Sequence, residues 1–526
     1  MRTTPPPPLK PIEDITNGLN IPREYVIPYG RHIAKIDSRL LDALPMPDGK
    51  LVLITSMTPA LSGEGKTTLT IGLTQAFRTL GKNATAVIRQ PSLGPLFGAK
   101  GGATGSGLSM AHPSGEISMH FTGDDSAVCA AHNLISALID NHIYHGNPLG
   151  IKRVLWPRVS PINDRALRNV LIGSGSKFER QEEFHISAAS EVMSILSLSI
   201  GLDDLMERIG KIIVAFDKDG IPVRVADLKA GGAATALLKN ALHPNLVQST
   251  QGAPVFVHTG PFGNVSIGCS SLIAAKLSLR LSDYTLTEAG FSTELGAEKF
   301  FDVVCRAGGL KPSAAVIVAT LDAIKIHGMD NLLKHASNIE KFGVPFAAAI
   351  NRFSADKDAE IAGVIKTLKD KNIPAFIADV RDKGGKGGIE GAEIIMGLCE
   401  RENRFKYLYG LDTPIEEKIC VIAKELYGAN EVVFTGSAKD DVKDMVRLGL
   451  STLPVCVAKT PKSLSGDPGL TGAPTGFAIT VKSVCPAAGA GFLTARCANI
   501  LLLPGLPPHP NAETIGVDKD GNVTGI

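Results

Sequence analysis

Three consecutive stretches constrain this chain most. LVLITSM (51–57) is a short apolar run rich in β-branched residues. GKTTLTIGLTQAFRTLG (65–81) spaces Leu69, Ile71, Leu73, Ala76 and Phe77 as a helix does, and NATAVIRQ (83–90) is strand-like again. Strand, helix and strand in so short a stretch form a βαβ unit, and its two strands lie parallel because the helix supplies the crossover.

The pattern recurs. APVFVHTG (253–260) precedes helical SLIAAKLSLRLS (271–282) and strand-like YTLTEAGF (284–291). AAVIVAT (314–320), a strand within FGVPFAAAINRF (342–353), helical DAEIAGVIKTLKDKN (358–372) and PAFIADV (374–380) follow. Nearly unbroken apolar strands predict a sheet covered on both faces. The expected class is α/β, a P-loop NTPase-like parallel sheet core with additional α/β lobes. We divide the chain into the N-terminal part of a nucleotide-binding domain (1–150), a mixed insertion (151–250), a second, Rossmann-like part (251–410) and a C-terminal lobe (411–526). No internal repeat is evident.

Composition narrows the function. The 526 residues carry 54 basic and 52 acidic side chains, a formal charge of +2, which gives no support to nucleic acid or an anionic membrane as main partner. No apolar run approaches the ~18 residues of a membrane span. MRTTPPPPLK lacks the apolar core of a targeting signal and reads as a polyproline-like lead-in. The eight cysteines form no C-x-x-C pair, which predicts buried, reduced thiols in a cytoplasmic protein.

Between the first strand and helix lies TPALSGEGKTT (58–68). Phosphate binding needs glycines that let backbone N–H groups approach an anion, a Lys for the outer phosphates and a hydroxyl for Mg²⁺. Gly63, Gly65, Lys66 and Thr67 supply them. Ala60 stands where the Walker A pattern has Gly, but that position only starts the turn, which Pro59 stiffens. Ala60, Leu61, Ser62, Gly63, Glu64, Gly65, Lys66, Thr67 and Thr68 are the candidate nucleotide-binding residues, with Thr67 at the metal. RQPSLGPLFGAKGGATGSG (89–107) follows the second strand, so Arg89 and Lys100 are expected beside this loop at the ligand-binding edge of the sheet. Arg89 suits a second anionic group.

With these words, and with MHFTGD (119–124), NDRALRN (163–169), TEAGF (287–291), LGAEKFFD (295–302), INRF (350–353) and PGLPPHP (504–510), the chain resembles the formate–tetrahydrofolate ligase family along nearly its whole length. The resemblance implies a two-step reaction: formate attacks the γ-phosphate of MgATP to give formyl phosphate, then N10 of tetrahydrofolate attacks the formyl carbon and phosphate leaves. It implies that Lys66 neutralises the γ-phosphate, that Arg89 holds formyl phosphate, and that Asp124 ligates metal or organises the acceptor amine. His120 is either catalytic or simply a packed side chain. Phe291 and Phe353 fall where the family places the pterin, in the 251–410 part, although either is equally a core Phe. The resemblance further implies a homotetramer and a monovalent cation, potassium or ammonium, as activator.

Several positions depart from the family pattern. Leu61 replaces a Pro, His185 an Asp, Ile267 a His, Ser270 an Asn and Ser354 a Pro. Arg381 stands where a Trp would stack on the pterin, and Lys386 replaces an acidic residue. An Arg plane still stacks on an aromatic ring, but a cation also welcomes an anionic group. Four readings therefore stand at this point: a formate–tetrahydrofolate ligase acting on tetrahydrofolate or a close pterin, a paralog passing an acyl group to a more anionic acceptor, a non-catalytic nucleotide- or folate-binding relative, and a P-loop switch ATPase.

Overall fold

In the computed structural model, residues 8–45, 49–60, 63–101, 103–497 and 499–525 are described. Most of the proline-rich lead-in, and both Leu61 and Ser62 of the loop, lie outside them.

One large sheet dominates. Ten of its twelve strands, in chain order, are β1 (Val26–Pro28), β2 (Ala34–Ile36), β3 (Lys50–Ser56), β4 (Ala84–Ile88), β5 (Asn245–Ser249), β6 (Pro254–Val257), β7 (Tyr284–Glu288), β8 (Ala314–Ala319), β9 (Phe346–Asn351) and β10 (Ala375–Ala378). They lie side by side as β1-β2-β5-β6-β4-β7-β3-β8-β9-β10. From β6 to β10 every neighbour is parallel. β1, β2 and β5 add an antiparallel flank. This flank was not read from the sequence. NLVQS mixes polar and apolar residues, and only the tight Thr250–Gly252 turn lets it fold back on β6 as a hairpin.

β3 lies between β7 and β8 and is buried from Leu51 to Ser56. Alternate residues face opposite ways. Val52 and Ile54 pack with Leu69, Leu73 and Phe77 of helix α1 (Lys66–Thr79) and with Ile395 of the helix Ile389–Cys399. Leu51 and Leu53 join the opposite core with helix α2 (Leu272–Leu281). Helices on both faces explain why the strands carry so few polar residues.

The predicted strands and helices of this core are present, with ends moved by at most three residues. α2, for example, starts one residue later because the Ser271 hydroxyl caps it, accepting the Ala274 N–H at 3.1 Å. Two smaller three-stranded sheets stand apart from the main one. One joins Ile151–Val154, Ile213–Asp217 and Pro222–Arg224, the other Val455–Ala458, Ser483–Ala487 and Phe492–Arg496. Among the described residues no helix is long and apolar enough to cross a membrane. All eight cysteines are unbridged.

Candidate active site

The parallel strands end together, so the loops after β3, β4, β7, β8 and β9 share one edge of the sheet. After β3 the chain passes through Gly63 and Gly65, both at positive φ, and enters α1 at Lys66. Gly65 has a second reason to lack a side chain: a Cβ there would lie 2.5 Å from Asn351 Nδ2. That amide, at the end of β9, donates to the Glu64 carbonyl at 3.0 Å and braces the loop. The Glu64 carboxylate turns back and accepts the Ala60 N–H at 2.9 Å. Burial pushes the Glu64 carboxyl up, against that bond and the charge of Lys66.

The Lys66 ammonium donates to Ser56 Oγ at 3.0 Å, and Ser56 in turn donates to the Phe291 carbonyl at 2.9 Å. Burial lowers the Lys66 pKa to about 8; Arg89 and Lys100 act in the same direction, while Glu64 and Glu288 oppose. Thr67 Oγ1 donates to Glu288 Oε2 at 2.7 Å, and Thr68 Oγ1 meets Ser106 Oγ at 3.0 Å.

Arg89, just past β4, reaches the same carboxylate, with Nε 4.0 Å from Glu288 Oε1. That Nε is buried and has no hydrogen-bond partner among the described residues. Its guanidinium lies against Gly290, where a Cβ would stand 3.2 Å from one terminal nitrogen. Lys100 Nζ sits over the Phe291 ring, 5.9 Å from its centre, and burial followed by Arg89 lowers its pKa. Phe291 itself has φ of 61°, a left-handed backbone that a bulky residue seldom adopts and that clusters at ligand clamps.

Lys66, Thr67, Arg89, Lys100, Glu288 and Phe291 thus form one cluster. A hydroxyl beside a buried carboxylate offers the hard oxygen donors that Mg²⁺ takes, and an Arg89 Nε without a hydrogen bond has donor capacity left for an anion. Glu288 was missed as a site residue. The signal was its place, the one charged residue of the strand YTLTE, at its end.

The other predicted residues lie elsewhere. Phe353, half-buried, follows β9, where its N–H donates to Asp356 Oδ2 at 2.8 Å. Arg381 follows the adjacent strand β10; its side chain is exposed, and its carbonyl accepts the Leu108 N–H at 2.8 Å. Phe291 and Phe353 follow β7 and β9, three strand spacings apart, or about 14 Å. Lys386 is exposed on the turn Gly384–Gly388, which packs along α1. Asp124 is committed to a buried ion pair: Lys35 Nζ lies 2.7 Å and 3.0 Å from its two oxygens, and Asn245 Nδ2 donates to one of them at 2.8 Å. His120 is exposed, on the side of the neighbouring Asp125, whose carboxyl is pushed up by burial first and then by Asp124. Among the departures, Ile267 is fully buried core, and Ser270 Oγ donates to the His258 carbonyl at 2.8 Å.

A buried polar network holds the start of the loop. His335 Nε2 accepts the Thr58 N–H at 2.9 Å, and His335 Nδ1 contacts Thr293 Oγ1 at 2.7 Å. Asn331 Nδ2 donates to Thr58 Oγ1 at 3.0 Å and to the Gly472 carbonyl at 2.7 Å, tying in the segment around Gly472. Burial lowers the His335 pKa to about 4, so it works as a neutral ring.

Comparison with known proteins gives this geometry a context. A sequence model described as formate–tetrahydrofolate ligase matches residues 5–526. The chain is 47% identical to the formate–tetrahydrofolate ligase of Thermotoga maritima, over 98% of this chain and 100% of that one. It is 46% identical to the proteins of the same name from Thermotoga petrophila (98% and 100% covered) and Symbiobacterium thermophilum (98% of each). A match this long, on a sheet edge that gathers a phosphate loop with two further cations and a buried carboxylate, means that the chain belongs to the formate–tetrahydrofolate ligase family.

Proposed function

We propose that this protein joins formate to tetrahydrofolate at the expense of ATP, giving 10-formyltetrahydrofolate, ADP and phosphate. The observation that carries the reading is the convergence of Lys66, Thr67, Arg89 and Glu288 at one sheet edge. Formate is a poor electrophile, so its oxygen must first take the γ-phosphoryl group. A formate oxygen attacks phosphorus and the bond to ADP breaks. N10 then attacks the formyl carbon, phosphate leaves, and N10 loses its proton.

Each residue has a physical task. Lys66 and the loop N–H groups meet the charge that builds on the transferred phosphoryl group. Arg89, whose Nε makes no hydrogen bond among the described residues, holds the acyl phosphate by its oxygens. Thr67 and Glu288 would hold Mg²⁺, which neutralises phosphate charge when bound. Asp124, already matched by Lys35 and Asn245, organises the acceptor side by fixing the start of its helix and is no metal ligand. Phe353 and Arg381, after adjacent strands, present a ring and a guanidinium plane to the pterin; Phe291, beneath Lys100, closes the phosphate side.

The high identity to relatives named for tetrahydrofolate disfavours a different acceptor despite Arg381 and Lys386. A homotetramer, potassium or ammonium activation and a cytoplasmic location are proposals resting on the family resemblance. The test supplies MgATP, formate and tetrahydrofolate and follows ADP and 10-formyl product. Formate-dependent ATP turnover without formylated folate would replace this reading with the paralog; absence of both would leave only a binding protein.

A further inference from the structure

Away from the sheet edge, a cavity of about 470 Å³ lies between segments of residues 151–217 and the C-terminal lobe. It shares no residue with the cluster around Lys66. Its floor is the strand Phe492–Arg496, whose alternate side chains Phe492, Thr494 and Arg496 line it. Trp156 and Phe216 contribute aromatic wall. The volume suits a small organic ligand.

The charges decide what kind. Arg180 is committed to Asp140 and Glu182, at 2.6 Å each, and Glu182 also binds Arg158 at 2.7 Å. Glu183 is matched by His185 at 2.9 Å and has Arg496 in its field. Asp444 is paired with Arg447 at 3.2 Å, and Asp441 accepts the Val484 N–H at 2.9 Å. Glu191 accepts the Gly489 N–H at 2.8 Å, and burial pushes it up to about 7, so it is about half ionised near neutrality. Two cations remain under-used. Arg496 Nε is buried without a hydrogen-bond partner among the described residues. Arg153 is exposed; its guanidinium lies 4.8 Å from the centre of the Phe216 ring and in the field of Asp441. A buried, unsatisfied guanidinium nitrogen beside aromatic faces is costly unless something fills the space.

We propose that this cavity is a second binding site, for a small organic anion with a flat apolar body. Its carboxylate or phosphate head sits on Arg496, supported by Arg153, and its body lies against Phe492 and Phe216. The site is separate from the ligase reaction and asks nothing of the phosphate loop.

Calorimetry with MgATP kept saturating tests it, using benzoate and phenyl phosphate as probes and benzyl alcohol and benzylamine as controls. The expected result is one site per chain for an anionic probe and none for the controls, at concentrations on the order of 10 mM, ample for a ~1 mM dissociation constant. Which probe binds tells whether the head is a carboxylate or a phosphate. Arg496→Met should weaken binding at least about tenfold, or about 1.4 kcal/mol, with ligase kcat unchanged. Should that variant misfold, Arg153→Gln is the second test and should also weaken binding. The proposal is overturned by silence from both anions, by equal binding of the neutral control, by wild-type affinity in the variants, or by loss of binding in Lys66→Ala, which would move the site to the phosphate loop.

Discussion

Thr67 Oγ1 donates to Glu288 Oε2 across 2.7 Å, joining the first turn of α1 to the end of the neighbouring strand β7. The hydroxyl follows Lys66, and the carboxylate is buried. With Arg89 4.0 Å away on the other oxygen, Glu288 would link the metal and acyl-phosphate positions of the proposed reaction. Glu288→Gln keeps the shape and removes the charge. We expect kcat to fall ~10²–10³-fold, the range seen when one preorganised electrostatic partner is removed. The Mg²⁺ concentration for half-maximal rate should rise, while binding of metal-free ADP should hold or tighten. Metal-titrated kinetics and calorimetry check this; an unchanged Mg²⁺ requirement would remove Glu288 from the metal site.

Lys66 sets a pH limit. Its ligand-free pKa is lowered to about 8, so the ammonium is lost as pH rises through that value. A phosphate chain needs the charged form, so nucleotide affinity should fall above about pH 8, with uptake of up to one proton per site on binding. Calorimetry of an ATP analogue in buffers of different ionisation enthalpy reads the proton directly. The stability sign is separate. Between about 8 and the ordinary 10.5 the unfolded chain holds a proton that the folded chain lacks, so this group's contribution to stability rises with pH there. Lys66→Met should therefore raise the Tm of the ligand-free protein at pH 7 while abolishing turnover, and that gain should shrink by pH 9.5.

His335 acts on the acid side. Its folded pKa is lowered to about 4 by burial, against an ordinary value of 6.5. Below 6.5 the unfolded chain takes up a proton that the folded chain refuses, so stability is lost as pH falls from 6.5 towards 4. His258, also lowered to about 4 by burial, adds to the same slope. His335→Gln should cost about 1–3 kcal/mol at pH 7 by stranding Thr58 and Thr293. The Tm difference between pH 7 and pH 5 should nevertheless be smaller than in the wild type. Scanning calorimetry at the two pH values decides it, and an equal or larger difference would mean that His335 does not carry the acid response.

The βαβ units were readable because their strands are buried on both faces: LVLITS and AAVIVA admit few other readings, and Gly-Lys-Thr after the first of them marks the loop. The antiparallel flank was not, because NLVQS pairs through its backbone and shows no apolar period. At the site, Lys66, Thr67 and Arg89 announce themselves by residue type and position. Glu288 did not, since one carboxylate at a strand end means something only when the neighbouring strand is known, and that neighbour, β3, lies more than 200 residues away in the chain. Asp124 shows the converse. Its place in a family word pointed to chemistry, but the Lys35 that engages it lies 89 residues earlier in the chain, and only folding brings the two within 2.7 Å.

Arg381 offers the sharpest test of the acceptor. Its backbone is fixed by the bond from Leu108, its side chain is exposed, and it follows the strand next to the one that leads to Phe353. If ring and guanidinium plane hold the pterin between them, Arg381→Ala should raise the KM for tetrahydrofolate. A stacking contribution of about 1–2 kcal/mol corresponds to roughly 5–30-fold. The KM values for ATP and formate, read at the other side of the loop, should stay within about twofold. Arg381→Trp should restore the affinity, because an indole stacks on the same ring. If the guanidinium also meets a carboxylate of the folate tail, the Trp variant should bind a tail-less pterin well and gain nothing from the tail, whereas the wild type should distinguish the two and lose that distinction at high salt. Steady-state kinetics with tetrahydrofolate and a tail-less tetrahydropterin at two ionic strengths separates stacking from ion pairing, and an Arg381→Ala enzyme with unchanged KM for both would place the pterin elsewhere.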